Sequence, residues 1–475
     1  MKEDEMDQIK VQTPEEEALE SKAYIDGYIQ RARAAQAVLE NYTQSQVDRL
    51  VMTIAKTVYD NAEYLAELAV EETGMGILAD KTAKNKGKAS IIWNSLKDKK
   101  SVGIIERDEE AGIVKVAKPM GVIAAITPMT NPTVTPMSNA MFAVKGRNAI
   151  IITPHHRSIR SSTETVNMIN AELAKLGAPE NLIQILDQQS RVNTRTLISS
   201  ADVVIATGGA GMVKAAYSSG KPALGVGAGN VQCIIDRDVD FAEAVPKIIA
   251  GRIFDNGIIC SGEQSAIIPT DKYEEIIEEF RKNGAYVVTE KEEKEAFRNA
   301  IFTEGAMNRH AVGQSVQTIA GLAGVEVPEH CKVIIIEADG VGKDEVLAKE
   351  KMCPVLAIFR YDDFKEAVEI AKANLEVEGK GHSVGIHSNN SANIEYAAEQ
   401  ISVSRFVINQ TCATSAGGSF FNGLAPTNTL GCGSWGNNSI SENLDYKHLI
   451  NVSRVAYYRP ENPVPTQDEL WSTLD

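Results

Sequence analysis

In PMGVIAAITPMTNPTVTPMSNAMFAVKGRNAIIITPHH (residues 119–156), two near-continuous apolar runs, GVIAAITP (121–128) and NAIIITPHH (148–156), flank a helix-like stretch. Apolar character that does not alternate implies a strand covered on both faces. Strand, helix and strand in that order form the unit of a parallel sheet. The rhythm continues outward. SSTETVNMINAELAKLG (161–177) is helical by period, NLIQILD (181–187) reads as a strand, and ADVVIATGGAG (201–211) leads into the helix MVKAAYSSG. This is the pattern of an α/β protein with a doubly wound sheet.

Upstream, Ala23 to Gly74 is helical, with Thr43 and Gln46 spaced as a capping box before Val47, Leu50, Val51, Ile54 and Val58 on one face. SVGIIERDEEAGIVKVAKP (101–119) reads as a hairpin. Downstream, a second strand series runs through SAIIPT, KVIIIEAD, PVLAIFRYD, HSVGIHSN and RFVINQ, with the charged helical segment KEEKEAFRNAIF within it. A domain boundary near residue 254 separates the two series, and 475 residues are enough for two cores.

A net charge of −16 disfavours nucleic acid as a partner. No run approaches the ~20 apolar residues of a membrane span. Six cysteines without CxxC pairs or zinc spacing fit a cytoplasmic protein with neither disulfides nor metal. The acidic opening, residues 1–22, reads as a solvated tail; Met6, Ile9 and Val11 make only a thin stripe for docking.

Several segments carry chemistry. In FDNGIICSGEQS (254–265), small turn-forming neighbours present Cys260, although free cysteines are often simply buried. TGGAGMV (207–213) opens a helix after a strand and exposes backbone N–H groups suited to phosphate; it serves equally as a plain connection. GVGAGN (225–230) permits close backbone approach, or a loop bend. Asn131 sits in a proline-bounded loop, where an amide also serves as a helix cap, and His382 and His387 lie beside a strand.

Taken together, these segments resemble the CoA-acylating branch of the aldehyde dehydrogenase superfamily, from about Ala23 onward. FDNGIICSGEQS is similar to that branch's nucleophile segment, PMGVIAAITPMTNP to its oxyanion loop, ATGGAG to its cofactor turn and KEKMCPVL (349–356) to its ribose-contacting segment. GHSVGIHS and LGCGSWGNNSISENLDYKHLINVSR complete the order. TPMTNPTVTPMSNAM and the C-terminal block look closest to acylating succinate-semialdehyde dehydrogenases, with acetaldehyde, propionaldehyde and sulfoacetaldehyde enzymes as near relatives.

The resemblance implies an aldehyde dehydrogenase-like fold: an acidic tail (1–22), a dinucleotide-binding domain (23–253), an α/β catalytic domain (254–435) and a C-terminal segment (436–475) packing onto a partner subunit. The hairpin at 102–117 then belongs to a bridging β-arm of a homodimer or homotetramer. Cys260 becomes the nucleophile, with Asn131 and the Cys260 backbone N–H facing the oxyanion and His382 orienting CoA or aiding thiolate formation. NADP or NAD is expected against Thr127, Pro128, Thr130, Pro154, His155, His156, Arg157, Thr207, Gly208, Gly209, Ala210, Gly211, Gly225, Gly227 and Glu350, the last at the nicotinamide ribose. TPHHR (153–157) stands where NAD-preferring relatives have Lys-Pro-x-Glu, so a 2′-phosphate meets no carboxylate at His156. Gly225 occupies the position at which hydrolytic relatives carry a water-activating glutamate, which implies release of the acyl group to the CoA thiol. Arg405, Thr411, Thr414 and Ser415, with Ser404 beside them, are the substrate candidates. The other readings are a hydrolytic dehydrogenase using a different base and a catalytically silent scaffold or compartment cargo.

Overall fold

The computed structural model describes residues 13–472. The first helix, α1 (Pro14–Leu39), begins inside the acidic opening, where Thr13 and Glu16 form a capping box and Glu15, Glu16 and Glu17 face the positive end of the helix dipole. The tail expected to reach residue 22 is therefore shorter. Ser21 is already buried, its hydroxyl bonded to Thr196 at 2.8 Å. Met6, Ile9 and Val11 lie outside the described residues. α2 (Gln44–Asp60) carries the expected capping box of Thr43 and Gln46, and its apolar face is buried. α3 (Ala62–Thr73) and α4 (Leu78–Leu96) follow, and then the antiparallel hairpin β1 (Gly103–Asp108) and β2 (Ile113–Pro119).

The first parallel sheet comprises β3 (Val122–Thr127), β4 (Ala149–Pro154), β5 (Ile183–Ile185), β6 (Val203–Thr207) and β7 (Ala223–Val226). Its connecting helices are α5 (Val134–Lys145), α6 (Ile159–Lys175), α7 (Arg191–Ser200) and α8 (Ala210–Tyr217). The strand order β5-β4-β3-β6-β7 reverses between β3 and β6. At such a switch point the connections leaving the carboxyl ends of the two strands part to opposite faces, leaving the crevice in which doubly wound sheets bind ligands. Every residue of β3 and β4 is buried, as their continuous apolar runs predict.

The second sheet starts with β8 (Val231–Ile235), followed by α9 (Phe241–Ile253), β9 (Glu263–Pro269), α10 (Tyr273–Lys282), β10 (Ala285–Val288) and α11 (Lys291–Ile301). A short pair, β11 (Phe302–Thr303) and β12 (Ala306–Met307), and α12 (Val316–Ala323) precede β13 (Val333–Glu337) and β14 (Val355–Tyr361). Then come α13 (Phe364–Val377), β15 (Val384–His387), α14 (Ser391–Gln400), β16 (Phe406–Ile408) and α15 (Cys412–Ser415). The seven-stranded order is β10-β13-β14-β9-β8-β15-β16, with every pairing parallel. Along β13, Ile334 and Ile336 join one apolar cluster while Val333 and Ile335 join another, so alternate residues serve the two faces.

Because β8 belongs to this sheet, the chain changes sheets between Val226 and Val231, ahead of the boundary expected near residue 254. Finally β17 (Ile450–Ala456) returns and pairs antiparallel with β2, completing a separate three-stranded arm from the hairpin and the C-terminal segment. Among the described residues no helix is long and apolar enough to cross a membrane.

Candidate active site

Four residues singled out in the sequence, and Gly229 of the GVGAGN segment, sit just ahead of neighbouring strands of the second sheet. Glu350 precedes β14, Cys260 precedes β9, Gly229 precedes β8, His382 precedes β15 and Arg405 precedes β16. Those strands are adjacent in that order, so the residues are lined up along one edge. The first sheet contributes the ends of β3 and β6, which carry the Asn131 loop and the TGGAG turn.

Cys260 is the one partly exposed cysteine; the other five are buried. Three successive left-handed residues, Asp255 (φ 54°), Asn256 (φ 52°) and Gly257 (φ 76°), bend the chain toward it. Such a conformation is strained for aspartate and is held here by its surroundings. The wholly buried Asp255 accepts from the Ile77 N–H (2.9 Å), Lys81 Nζ (2.9 Å) and Lys84 Nζ (2.7 Å). Arg252 clamps the two ends of the nucleophile loop by donating to the carbonyls of Gly257 (2.6 Å) and Glu263 (2.8 Å). Ser261 Oγ donates to the Ala413 carbonyl at 2.8 Å. The close approach allowed by GVGAGN is made by Gly229: a Cβ there would lie 1.8 Å from the Cys260 carbonyl oxygen.

Burial, then Glu350 and Cys432, push the Cys260 thiol up to about 12, while the Arg405 charge pulls it down. Glu350 is itself raised to about 8, by burial and then by Glu378; a bond from the Gly229 N–H opposes the rise. Below that value the carboxyl is mostly protonated, which limits the negative charge facing the sulfur. His382 is buried and held neutral, burial and Arg405 keeping its pKa well below the usual range. Its Nδ1 bonds Ser383 Oγ at 3.0 Å and its Nε2 has no partner.

Asn131 does not cap α5, whose N-cap is Thr133. Its Oδ1 instead accepts from Lys84 Nζ at 2.8 Å, which fixes the amide and leaves Nδ2 as its donor face, with only a 3.4 Å contact to Thr130 Oγ1. Sequence reasoning missed Lys81, Lys84 and Asp255. They are far apart in the sequence, and only the fold brings the lysines of α4 against Asp255.

At the crevice, Thr127 is buried and its Oγ1 has no partner. Pro128 and Thr130 follow it half-buried, and Thr207 Oγ1 lies 3.1 Å from Thr429 Oγ1. Gly209 is the N-cap of α8, Ala210 is its first residue, and a Cβ on Gly208, Gly209 or Gly211 would meet nothing within 4 Å. The turn is open, with helix N–H groups exposed for an anion. Pro154 ends β4, and the His155 and His156 rings stack at 4.1 Å beside Arg157. An Arg157 N–H also bonds the Thr73 carbonyl at 3.0 Å. At Gly225, a Cβ would lie 2.7 Å from Tyr217 Cε2 and 2.9 Å from Val213 Cγ1; at Gly227 it would make an ordinary 3.7 Å contact with Cys432 Sγ.

Arg405 departs from its expected role at the substrate. Its guanidinium donates to Ser383 Oγ (3.1 Å), the Gly431 carbonyl (2.8 Å), Asn443 Oδ1 (3.1 Å), the His382 carbonyl (2.7 Å) and Cys432. Held in this way and only 2 % exposed, Arg405 is a buried strut rather than a free cation. Thr411 Oγ1 donates to the Lys247 carbonyl at 3.2 Å. Thr414 is exposed, Ser415 is buried, and Ser404 Oγ is buried without a partner.

Residues 7–448 match the sequence profile of the aldehyde dehydrogenase family. The chain belongs to the aldehyde dehydrogenase family. It is 57% identical over 443 residues to the succinate-semialdehyde dehydrogenase (acetylating) of Clostridium kluyveri, covering 93% of this chain and 98% of that one. The crystal structure of an acetylating aldehyde dehydrogenase from Geobacillus thermoglucosidasius is similar, with a TM-score of 0.89 and 40% identity over 94% of this chain and 99% of that chain. A propionaldehyde dehydrogenase of Rhodopseudomonas palustris, solved with bound CoA and an acylated cysteine, gives a TM-score of 0.81 and 27% identity, covering 91% and 97%. Like these members of the family, the chain is an oxidoreductase acting on aldehydes.

Proposed function

We propose that this aldehyde dehydrogenase converts succinate semialdehyde, CoA and NADP or NAD to succinyl-CoA and the reduced cofactor, reversibly, through a thioester on Cys260. The observation that carries the CoA half of the reading is the packing at Gly225. Tyr217 Oη accepts the Gly225 N–H at 2.7 Å and the Ser439 N–H at 3.1 Å, so the space in which a water-activating carboxylate would stand is filled by a phenol. A thioester without a general base beside it resists water. A thiol acceptor ionises near neutrality and needs less help.

The crevice fits a dinucleotide. The open TGGAG turn at the start of α8 suits the pyrophosphate, the unpartnered Thr127 hydroxyl faces the switch point, and Glu350 is assigned to the nicotinamide ribose. When bound, the nicotinamide supplies the acceptor for the hydride. His156 and Arg157, both exposed at the end of β4, leave a 2′-phosphate unopposed, which favours acceptance of NADP.

This chain's residues then have the following roles. Cys260 Sγ loses its proton and adds to the aldehyde carbon, placing an alkoxide opposite the Asn131 amide and the Cys260 backbone N–H. Lys84, drawing on Asn131 Oδ1, makes Nδ2 a stronger donor to that oxygen. Collapse of the thiohemiacetal leaves the acyl group on sulfur, and the CoA thiol displaces it. His382, with Nε2 unpaired, offers a hydrogen bond to the incoming thiol or its pantetheine arm. The arm of β1, β2 and β17, from which Tyr457 and Tyr458 extend exposed, is assigned to a homodimer or homotetramer interface in the cytoplasm.

The test is cofactor reduction with succinate semialdehyde, acetaldehyde and sulfoacetaldehyde, each with NADP and with NAD, with and without CoA. Turnover is expected only with CoA and fastest with succinate semialdehyde; free acid formed equally fast without CoA would overturn the reading. Gly225→Glu is expected not to create CoA-independent acid production. It should also lower stability by about 1–3 kcal/mol through overpacking against Tyr217 and Val213, read as a fall in melting temperature.

A further inference from the structure

Lys81, Lys84 and Lys88 recur at i, i+3 and i+7 and so share one face of α4. The first two are ion-paired with Asp255. Lys88 is not: its Nζ donates to the backbone carbonyls of Gly417 (2.8 Å) and Thr427 (3.1 Å). One N–H is left over, and among the described residues no carboxylate forms an ion pair with it. Lys88 is partly buried, and a cation partly withdrawn from water without a counter-ion is destabilised. Burial, and then Lys84, draw its pKa down to about 8.

Two further observations place this ammonium beside the reacting centre. Lys84, one turn earlier on the same face, holds Asn131 Oδ1, the amide assigned to the oxyanion. Lys88 and Cys260 are also near enough for their charges to interact. The carbonyl of Gly417 belongs to the segment following α15, which buttresses the nucleophile through Ala413 and Ser261. A Cβ at 417 would come within 2.7 Å of Lys88 Nζ, so glycine there makes room for the ammonium.

We propose that Lys88 Nζ binds the anionic far end of the aldehyde or acyl chain, a carboxylate or a sulfonate, and is the residue that selects charged substrates. The proposal rests on the assignment of Cys260 and Asn131 made above, and it supplies the cation that Arg405, buried as a strut, does not. Selectivity is then electrostatic: an aldehyde with an uncharged tail leaves the ammonium without a counter-ion, and one with an anion pairs it.

The experiment compares kcat/KM for succinate semialdehyde, sulfoacetaldehyde and butyraldehyde in the wild type, Lys88→Met and Lys88→Arg, with melting temperature measured on each. Lys88→Met is expected to lower kcat/KM for succinate semialdehyde about 30- to 100-fold, mostly through KM, the usual result of truncating one partner of a buried charge pair. Butyraldehyde should stay within about threefold. Lys88→Arg, which keeps the charge, should retain most of the preference even if Lys88→Met folds poorly. A parallel loss with sulfoacetaldehyde assigns the site to anions in general; a loss with succinate semialdehyde alone assigns it to the carboxylate. Equal losses with charged and neutral aldehydes, or no loss with either anion, would overturn the proposal and leave Lys88 as a tie between α4 and its two carbonyls. A wild-type enzyme with no preference for anionic aldehydes defeats the substrate reading itself, independently of either variant.

Discussion

Cys260→Ala is expected to lower CoA-dependent aldehyde oxidation by about 10⁵-fold or more, in line with the loss seen when a covalent nucleophile is removed. The melting temperature should stay near wild type, because the loop is held by Arg252, Asp255 and Ser261 rather than by the sulfur. Cys260→Ser should be nearly as inactive, since a hydroxyl is far harder to ionise than a thiol. The same sulfur accounts for an expected pH profile. With the thiol pushed up to about 12, labelling of Cys260 by iodoacetamide should climb with pH, without a plateau between pH 7 and about 10. Glu350 contributes to that rise in pKa, so Glu350→Gln should shift the labelling curve to lower pH. A curve that does not move would exclude Glu350 as a neighbour of the sulfur in solution. Mass spectrometry of the labelled chain should find one modified cysteine, because the other five are buried.

Asn131→Ala is expected to reduce kcat by about 10²- to 10³-fold with little change in KM, the effect of losing one preorganised oxyanion donor. Its amide contributes little to holding the ground-state aldehyde, so the loss should fall on the chemical step. Lys84→Met tests the support behind that amide. It leaves Asn131 in place but removes the charge that fixes Oδ1, and a loss of about tenfold in kcat is expected. In the double variant the losses should not add, because Lys84 acts through Asn131. Full additivity in steady-state kcat would mean that Lys84 works by another route, such as holding Asp255 and the bend before Cys260.

Much of the fold could be read from the chain because the strands of both sheets are covered on two faces. Runs such as VIAAIT and AIIIT have no amphipathic rival reading at strand length. The capping box at Thr43 marked the start of α2 as clearly. Thr13 and Glu16 have the same spacing, yet the acidic composition around them reads as tail, and the contact that anchors α1, Ser21 with Thr196, spans most of the first domain. Sheet membership is likewise not local information. Val231–Ile235 has the same apolar character as the strands before it, and only its pairing with β9 and β15 assigns it to the second sheet. At the site, glycines and a cysteine in small-residue context stood out. The lysines of α4 did not, since a lysine on a helix normally faces water. Arg405 misled for a related reason: a cation near a site suggests an anion, and its acceptors come from three separate stretches of chain.

The peptide that carries the chain from one sheet to the other also presses on the carbonyl of the nucleophile, since Gly229 leaves no gap beside Cys260. A side chain at 229 would therefore have to push the Cys260 peptide, and the thiol with it, out of place, so the length and course of this crossing help fix where the sulfur stands.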